Sequence, residues 1–525
     1  MITFYTGSME NIENKTNNEQ DTITISRAEY ENLVRENEWF REQLLNMKRK
    51  QFGSSAEVTD EEVYVQMSLL FDEAEVIANK EPEKPAAEVK GYTRQNRSGS
   101  VRDIVPEDIK VVEIEHDLPE EDRTCPQCGE IMEIIGSDVR ETLVIPQNEP
   151  YIQRDIYFTY GCANCKENDV STPIVKTPKD PALIPGGFAS PEAVAYIAYQ
   201  KFVMHAPLYR QEMDWNRRKI MLSRQTMANW MIRCANDWLS PLYQALKQEL
   251  IHNHDLLHAD ETTVQVLHEP GKTPQSKSYM WLYRTSGDTD QHIVLYEYRP
   301  GRGDQYPEAF LNGYEGYLQT DGYQSYTGLP GVINVGCFAH LRRYFIEAQT
   351  AMPKGKRSAT ADQGVAYCDQ LFKLERDFQD LSPEERKQQR ELHSKPVLAA
   401  MWTWAENRNA APKSKLGKAL TYLKNQWPYL NNYLLDGRIE ISNNRAERSI
   451  KPFVMSRKNF LFANTQKGAD ASAVIFSIIE TAKENQLDPY RYLVWVLSSA
   501  PKLSDDNPEW ACELLPWKAP GSCKT

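Results

Sequence analysis

The chain has 525 residues, 41% of them hydrophobic, and a formal net charge of −13. That length suits several domains of about 100–200 residues each. No run approaches the roughly eighteen apolar residues of a membrane span, and the N-terminus lacks the basic-then-apolar order of a signal peptide, so a cytoplasmic protein with no membrane partner is expected. The acidity is uneven: residues 1–200 carry 20 Lys+Arg against 38 Asp+Glu, whereas 201–525 carry 41 against 36. The total therefore does not exclude nucleic acid, because phosphate binding needs a local basic patch and not a basic sum.

Residues 1–25 are polar and aperiodic, which predicts disorder. Over 26–50, SRAEYENLVRENEWFREQLLNMKRK, Ser26 and Glu29 form a capping box, and Tyr30, Leu33, Asn37, Phe40, Leu44 and Met47 step by three and four. This is an a/d seam with Asn37 at an a position, which fixes register in short coiled coils, so self-association is expected; a helix packed on its own chain is the plainer reading. Residues 51–110 have the Pro, Glu and Ser bias of a linker, with a short helix fitting near Val63–Ile77.

In the next unit, 111–180, Cys125-Pro-Gln-Cys128-Gly and Gly161-Cys162-Ala-Asn-Cys165 flank the strand-like runs IMEII, VRETLVI and YIQRDIYFTY. Two such knuckles joined by strands describe a zinc ribbon, with four thiolates closing a tetrahedral site round one structural Zn²⁺. The 33 residues between Cys128 and Cys162 exceed the usual spacing, but a dithiol redox site would need a βαβ context that is missing. From 188 to 245 the pattern turns helical, in SPEAVAYIAYQKFV, LYRQEMDWNRR and SRQTMANWMIRCANDWL. A basic approach and a Ser223 cap fit a helix-turn-helix, with Arg224, Gln225 and Asn229 facing bases and Arg217, Arg218 and Lys219 on phosphates. An ordinary helical hairpin fits the same pattern.

Between 250 and 358, strand-like HDLLHADETTVQVL, SYMWLYRTS and QHIVLYEYRP precede a helix over PEAFLNGY, a fourth strand in GYLQTDGYQSY, a fifth in VINVGCFAH and a helix LRRYFIEAQ. The class is multidomain α/β, and the order is that of a ribonuclease H-like core, whose first and fourth strands are neighbours. Asp260 on the first would then meet Asp321 on the fourth. Alternation along HADETTV turns Glu261 to the other face, which favours Asp260 as the ligand. Residues 359–440 read as helical. The chain then reaches ISNNRAERSIKPFVMSRKNFLFAN, where Ser442 can cap a helix whose first turn holds Asn443, Asn444 and then Glu447. Two more helices complete this second part of the core, 441–500, and 501–525 reads as a tail.

Singly, each acid has a plainer use, Asp260 as a strand-end acid capping a turn, Asp321 as a turn residue before Gly322 and Glu447 as the partner of Lys451. As a set they can hold two Mg²⁺ or Mn²⁺ ions about 3.5–4 Å apart, clamping the attacking and leaving oxygens of a phosphodiester. Hard oxygen ligands select these ions over zinc. Arg342, Arg343, Arg448, Lys451, Arg457 and Lys458 are placed to neutralise DNA phosphates. Cys337-x-x-His340 supplies only two ligands and reads as support for Asp321 or for DNA.

In this order, QFGSSAE, CPQCG, PLYRQE, SRQTMANW, HADETTVQVL, LQTDGYQSY, GCFAHLRRYF and SNNRAERSIKPFVMSRKNFLFA resemble the large transposase of insertion-sequence-sixty-six (IS66) elements, a branch of the DDE transposases. The likeness covers most of the chain and departs in QFGSSAE, where the family usually has a basic residue after the glycine. It implies that Asp260, Asp321 and Glu447 are a catalytic triad, and that 359–440 is an insertion domain that separates Asp321 from Glu447 by 126 residues. It also implies terminal inverted repeats and target DNA as partners, a homo-oligomer on DNA, small accessory proteins of the same element, and 3′-end cleavage followed by strand transfer. A structure-specific nuclease on the same fold, or a non-catalytic DNA-binding regulator, are the alternatives.

Overall fold

The computed structural model describes residues 181–352, 358–505 and 507–525, together with Pro150 and the backbone of two short strands. The predicted front helix at 26–50, the linker and the cysteines Cys125, Cys128, Cys162 and Cys165 lie outside those residues. The chain divides into two units, and the smaller, Glu81–Lys179, contributes an antiparallel pair, β1 (Thr159–Gly161) and β2 (Ile174–Lys176). The remaining elements belong to the larger unit.

Among its described residues, three helical segments come first. α1 (Pro191–Phe202) starts at Ser190, whose Oγ accepts the Ala193 N–H, and Pro191 brings a φ suited to a first turn. After α2 (Leu208–Arg217) the chain turns through Lys219, at φ 61°, and α3 (Arg224–Cys234) begins at Ser223, whose Oγ accepts the Thr226 N–H as the sequence predicts. The predicted end at Leu239 is not a break, because the helix widens into a π-turn at Ala235–Leu239 and continues as α4 (Ser240–Asn253). Pro241, which has no N–H to return to Asp237, sits just past the widened turn, where the α ladder is already interrupted.

β3 (Leu256–His268), β4 (Lys277–Thr285) and β5 (Val294–Arg299) form an antiparallel meander. Through α5 (Gln305–Phe310) the chain reaches β6 (Gly316–Gln319), then β7 (Val332–Val335) and α6 (Phe338–Thr350). The sheet order is β5-β4-β3-β6-β7, with β6 parallel to both β3 and β7, so the first and fourth core strands are neighbours. β6 stops at Gln319, which corrects the placement of Asp321: it lies in the turn beyond the strand.

α7 (Ala359–Asp377), α8 (Pro383–Gln389), α9 (Lys395–Glu406) and α10 (Lys415–Leu430) fill the predicted helical stretch. Their core of Leu371, Met401, Leu420 and Leu423 also takes in Val335, Phe338 and Phe345, so this stretch packs directly on β7 and α6. The chain returns in α11 (Asn444–Phe460), a short β8 (Ala463–Thr465) beside the far end of β3, α12 (Gln466–Glu484) and α13 (Pro489–Leu503). α12 covers the outer edge of β5: Thr481 Oγ1 and Ser477 Oγ accept the N–H groups of Val294 and Tyr296 at 3.0 and 2.8 Å. Those hydroxyls satisfy edge donors that would otherwise invite another strand. The predicted tail is packed in, with Leu514, Leu515 and Cys523 buried and Leu487 bridging to Lys524. Among the described residues no helix is long and apolar enough to cross a membrane.

Arg438 fastens the approach to α11. It forks onto Asp255 at 2.9 and 2.7 Å and reaches Asp436 at 2.9 Å. The Arg438 hydrogen bond holds the Asp255 carboxyl below its ordinary value; at Asp436 burial pushes upward and the Arg438 bonds outweigh it. A lowered folded value means that this stabilisation is complete above the ordinary carboxylate range and is lost as pH falls through the lowered values. Arg438→Met should therefore lower the urea midpoint at neutral pH and leave it unchanged in strong acid, so that the two pH profiles converge at their acid end. Profiles that stay parallel down to pH ~2 would rule the linkage out.

Candidate active site

Register brings the two aspartates together. His258 lies opposite Gln319 across the parallel β3–β6 pair, so Asp260 and Asp321 each stand two residues further on, level with one another where the strands part. Glu447 enters from the first turn of α11 and is buried at 5% exposure. Burial first, and then the charges of Glu261, Asp321 and Glu447, push the Asp260 carboxyl well above the usual range. Burial likewise raises Asp321 and raises Glu447 to about 8, with Arg343 opposing the shift at Glu447 and Asp321 adding to it. Acids remote in sequence thus feel one another's charge.

Their immediate partners are few. Asp260 Oδ1 accepts the Glu261 N–H, and Asp321 Oδ1 accepts the Tyr323 N–H, both at 2.8 Å. Tyr422 of α10 donates its hydroxyl to the Asp321 carbonyl at 2.6 Å. Gly322, at φ 89°, makes the turn tight; a Cβ there would be strained and would stand 2.7 Å from the Gln426 amide. Beside this turn a cavity of about 370 Å³ opens between Tyr344, Lys418 and Tyr422. Around Glu447, His340 Nδ1 and Arg343 Nη2 stand 3.3 and 3.5 Å from Oε1. Neither Glu447 oxygen accepts a well-formed hydrogen bond. His340 is held neutral, its value lowered to about 3 by burial and then by Arg343.

Glu261 has a different occupation. Its carboxylate takes the Arg302 guanidinium, with Nε at 2.8 Å, and the Tyr326 hydroxyl at 2.7 Å. Arg302 in turn stacks 3.6 Å over Tyr323 and accepts the Tyr323 and Ser325 hydroxyls on its carbonyl. Glu261 therefore anchors the turn that carries Asp321. Nothing local in the sequence marks Arg302, Tyr326 or Tyr422 for this work, because each acts across the sheet or from another helix.

The residues predicted to meet DNA separate into groups. Arg217, Lys219, Arg224, Gln225 and Asn229 are exposed and Arg218 is half-buried, although Arg218 pairs with Asp214 at 3.2 Å and the Arg224 N–H is held by Glu212. Arg448 is exposed on α11, and Lys451 and Lys458 are half-buried there. Arg457 is drawn onto β3, donating to Thr262 and to Thr263. Arg342 does not join any of these surfaces. It is 4% exposed and gives Nε to Asp369 at 2.6 Å, tying α6 to α7, so burial removes it from the DNA-facing set. Ser442 is corrected too: Asn443 is the residue that precedes the helix, and it caps with no side-chain bond.

Carboxylate oxygens are the donors Mg²⁺ and Mn²⁺ select. The chemistry of this set fits such ions: desolvation raises the proton affinity of all three acids, Asp321 and Glu447 add to it at Asp260 and Asp321 adds to it at Glu447, and a divalent cation would satisfy the same excess of negative charge. Among the described residues no three His, Cys, Asp or Glu side chains are close enough to enclose one ion as they stand. Ligation of an ion by this set would require side-chain movement, and neither Glu447 oxygen is held by a hydrogen bond against it.

Fold and site together define an α/β protein with remote carboxylates gathered at the end of a mixed sheet. The chain belongs to the transposase IS66 family, whose model matches residues 186–471, with an IS66 C-terminal element over 477–517. Residues 122–166, which span all four knuckle cysteines, match the zinc-finger binding domain of transposase IS66, and 39–114 match a model described as transposase C of IS166 homeodomain. Similar relatives are uncharacterized proteins of Sinorhizobium fredii: y4hP is 31% identical over 82% of this chain and 78% of its own length. A second, y4jD, is 31% identical over 72% of this chain and 74% of its own. No solved structure matches the chain significantly.

Proposed function

We propose that this chain is a DNA transposase that binds the terminal inverted repeats of its element, cuts at the 3′ ends with Mg²⁺ or Mn²⁺, and joins the freed ends to target DNA. The observation that carries this reading is the β3–β6 register that sets Asp260 level with Asp321, with the charge of Glu447 felt at Asp260 although the two are 187 residues apart in the chain. The strand order supports a ribonuclease H-like core formed by 250–358 and 441–500, with 359–440 as its helical insertion. Membership of the family supports DNA as the partner.

Asp260, Asp321 and Glu447 would hold two ions, which when bound activate the attacking hydroxyl and stabilise the leaving oxygen. Arg343, beside Glu447, and Arg448 and Lys451 on α11 would draw the phosphate toward the carboxylates. His340, its pKa lowered by burial, would stand beside Glu447 as a neutral neighbour. Cys125, Cys128, Cys162 and Cys165 would close round one structural Zn²⁺. The surface of Arg217, Lys219, Arg224, Gln225 and Asn229 would read the ends, and the front helix would pair two copies on DNA.

The test is a strand-transfer assay with Mg²⁺, element-end DNA and a target plasmid. Joined products are expected. Cutting without joining would make the protein a nuclease, end binding without cutting a regulator, and no preference for end DNA would sink all three readings.

A further inference from the structure

The acids of the site repel one another, so something uncharged has to hold their backbones together whether or not cations are bound. Asn443 is fully buried and sits where three elements meet. Its Nδ2 donates to the Ala259 carbonyl, one residue before Asp260, at 2.8 Å. Its Oδ1 is thereby turned to His258 Nδ1 at 3.0 Å, which makes Nδ1 the protonated nitrogen of that ring. Its own N–H donates to Cys337 Sγ at 3.1 Å, at the start of the helix that carries His340 and Arg343. Its carbonyl accepts the Glu447 N–H at 3.2 Å. Every polar group of this residue is thus spent between β3, α6 and α11, which is why its side chain makes no cap of its own helix.

We propose that Asn443 is a positioning residue that sets the separation of Asp260 and Glu447 for metal binding. The proposal rests on the reading of these acids as metal ligands. Few other side chains serve as well. Aspartate keeps the acceptor for His258 but presents an oxygen to the Ala259 carbonyl, serine is too short to span both partners, and glutamine displaces its amide by a methylene. His258, with its Nε2 buried and unpartnered, has no visible task beyond holding this amide.

The test compares wild type with Asn443→Asp and Asn443→Ala, using the full chain. Mn²⁺ binding is followed by electron paramagnetic resonance, alongside thermal unfolding and binding of element-end DNA. Supporting groups behind metal ligands typically contribute about 10- to 100-fold in affinity. The expected result is Mn²⁺ affinity lower by about tenfold or more, with end-DNA binding retained and Mg²⁺-dependent cutting recovered in part at high Mg²⁺. Should both variants fail to fold, His258→Ala and His258→Gln carry the test: alanine weakens Mn²⁺ binding, and glutamine, which retains a donor for Asn443 Oδ1, restores part of it. Unchanged Mn²⁺ affinity in a folded Asn443 variant, or in both His258 variants, overturns the proposal. Wild type that binds no Mn²⁺ at this site, or that loses none on Asp260→Asn, overturns the metal reading and the proposal with it, an outcome distinct from wild type that binds Mn²⁺ through Asp260 as tightly as the Asn443 variants do.

Discussion

Asp260→Asn, Asp321→Asn and Glu447→Gln are each expected to slow Mg²⁺-dependent cutting and joining of end DNA by about a thousandfold or more. Stability should move the other way. Desolvation raises the pKa of each acid, and neighbouring acids add to it at Asp260 and Glu447, so replacing one with a neutral isostere relieves desolvation, and at those two also repulsion, in the metal-free protein. The thermal midpoint without metal should hold or rise, whereas the stabilisation that Mg²⁺ gives wild type should be lost. That pairing separates a metal site from a structural ion pair, since removing one partner of a structural pair lowers the midpoint. Wild-type cutting by any one of the three variants would falsify the triad. Glu261→Gln provides the contrast. Because Glu261 holds Arg302 and Tyr326, its loss should lower stability as well as rate.

Arg390→Met should be the most damaging substitution away from the site, costing about 3–5 kcal/mol. Arg390 is 1% exposed. It forks onto Glu375 at 2.9 and 2.6 Å and donates to the carbonyls of Tyr433, Asp436 and Ile439 at 2.7–2.8 Å. Methionine fills similar volume but strands a carboxylate and three carbonyls, and lysine keeps the charge without the fork. Urea unfolding should therefore rank wild type above Arg390→Lys and both above Arg390→Met. A loss under about 1 kcal/mol for methionine would mean that these carbonyls find other partners. The bound segment, 433–439, delivers the chain to α11, so cutting should fall along with stability.

Much of the site was legible in advance because its signals are local. Two-residue alternation identified β3 and turned Glu261 from Asp260, and a serine before a periodic run identified the start of α3. The same local logic misplaced the cap of α11. Ser442 has the right chemistry, but Asn443 takes the position because its amide is engaged with Ala259 and His258, some 184 and 185 residues away. Arg342 misled for a related reason. An Arg-Arg pair after a histidine gives no indication which of the two faces inward, and Asp369 on α7 settles it.

The sequence by itself determined the order of strands and helices, which follows from residue type and from spacings of two to four, and the family, which follows from the likeness of its motif blocks. The tertiary structure alone decided that Asp321 stands beyond its strand yet level with Asp260, that Glu261 anchors Arg302 and Tyr326, and that Arg390 and Asn443 bind the return of the chain. Those outcomes depend on register and burial, which arise only when segments far apart in the chain compete for the same buried donors and acceptors.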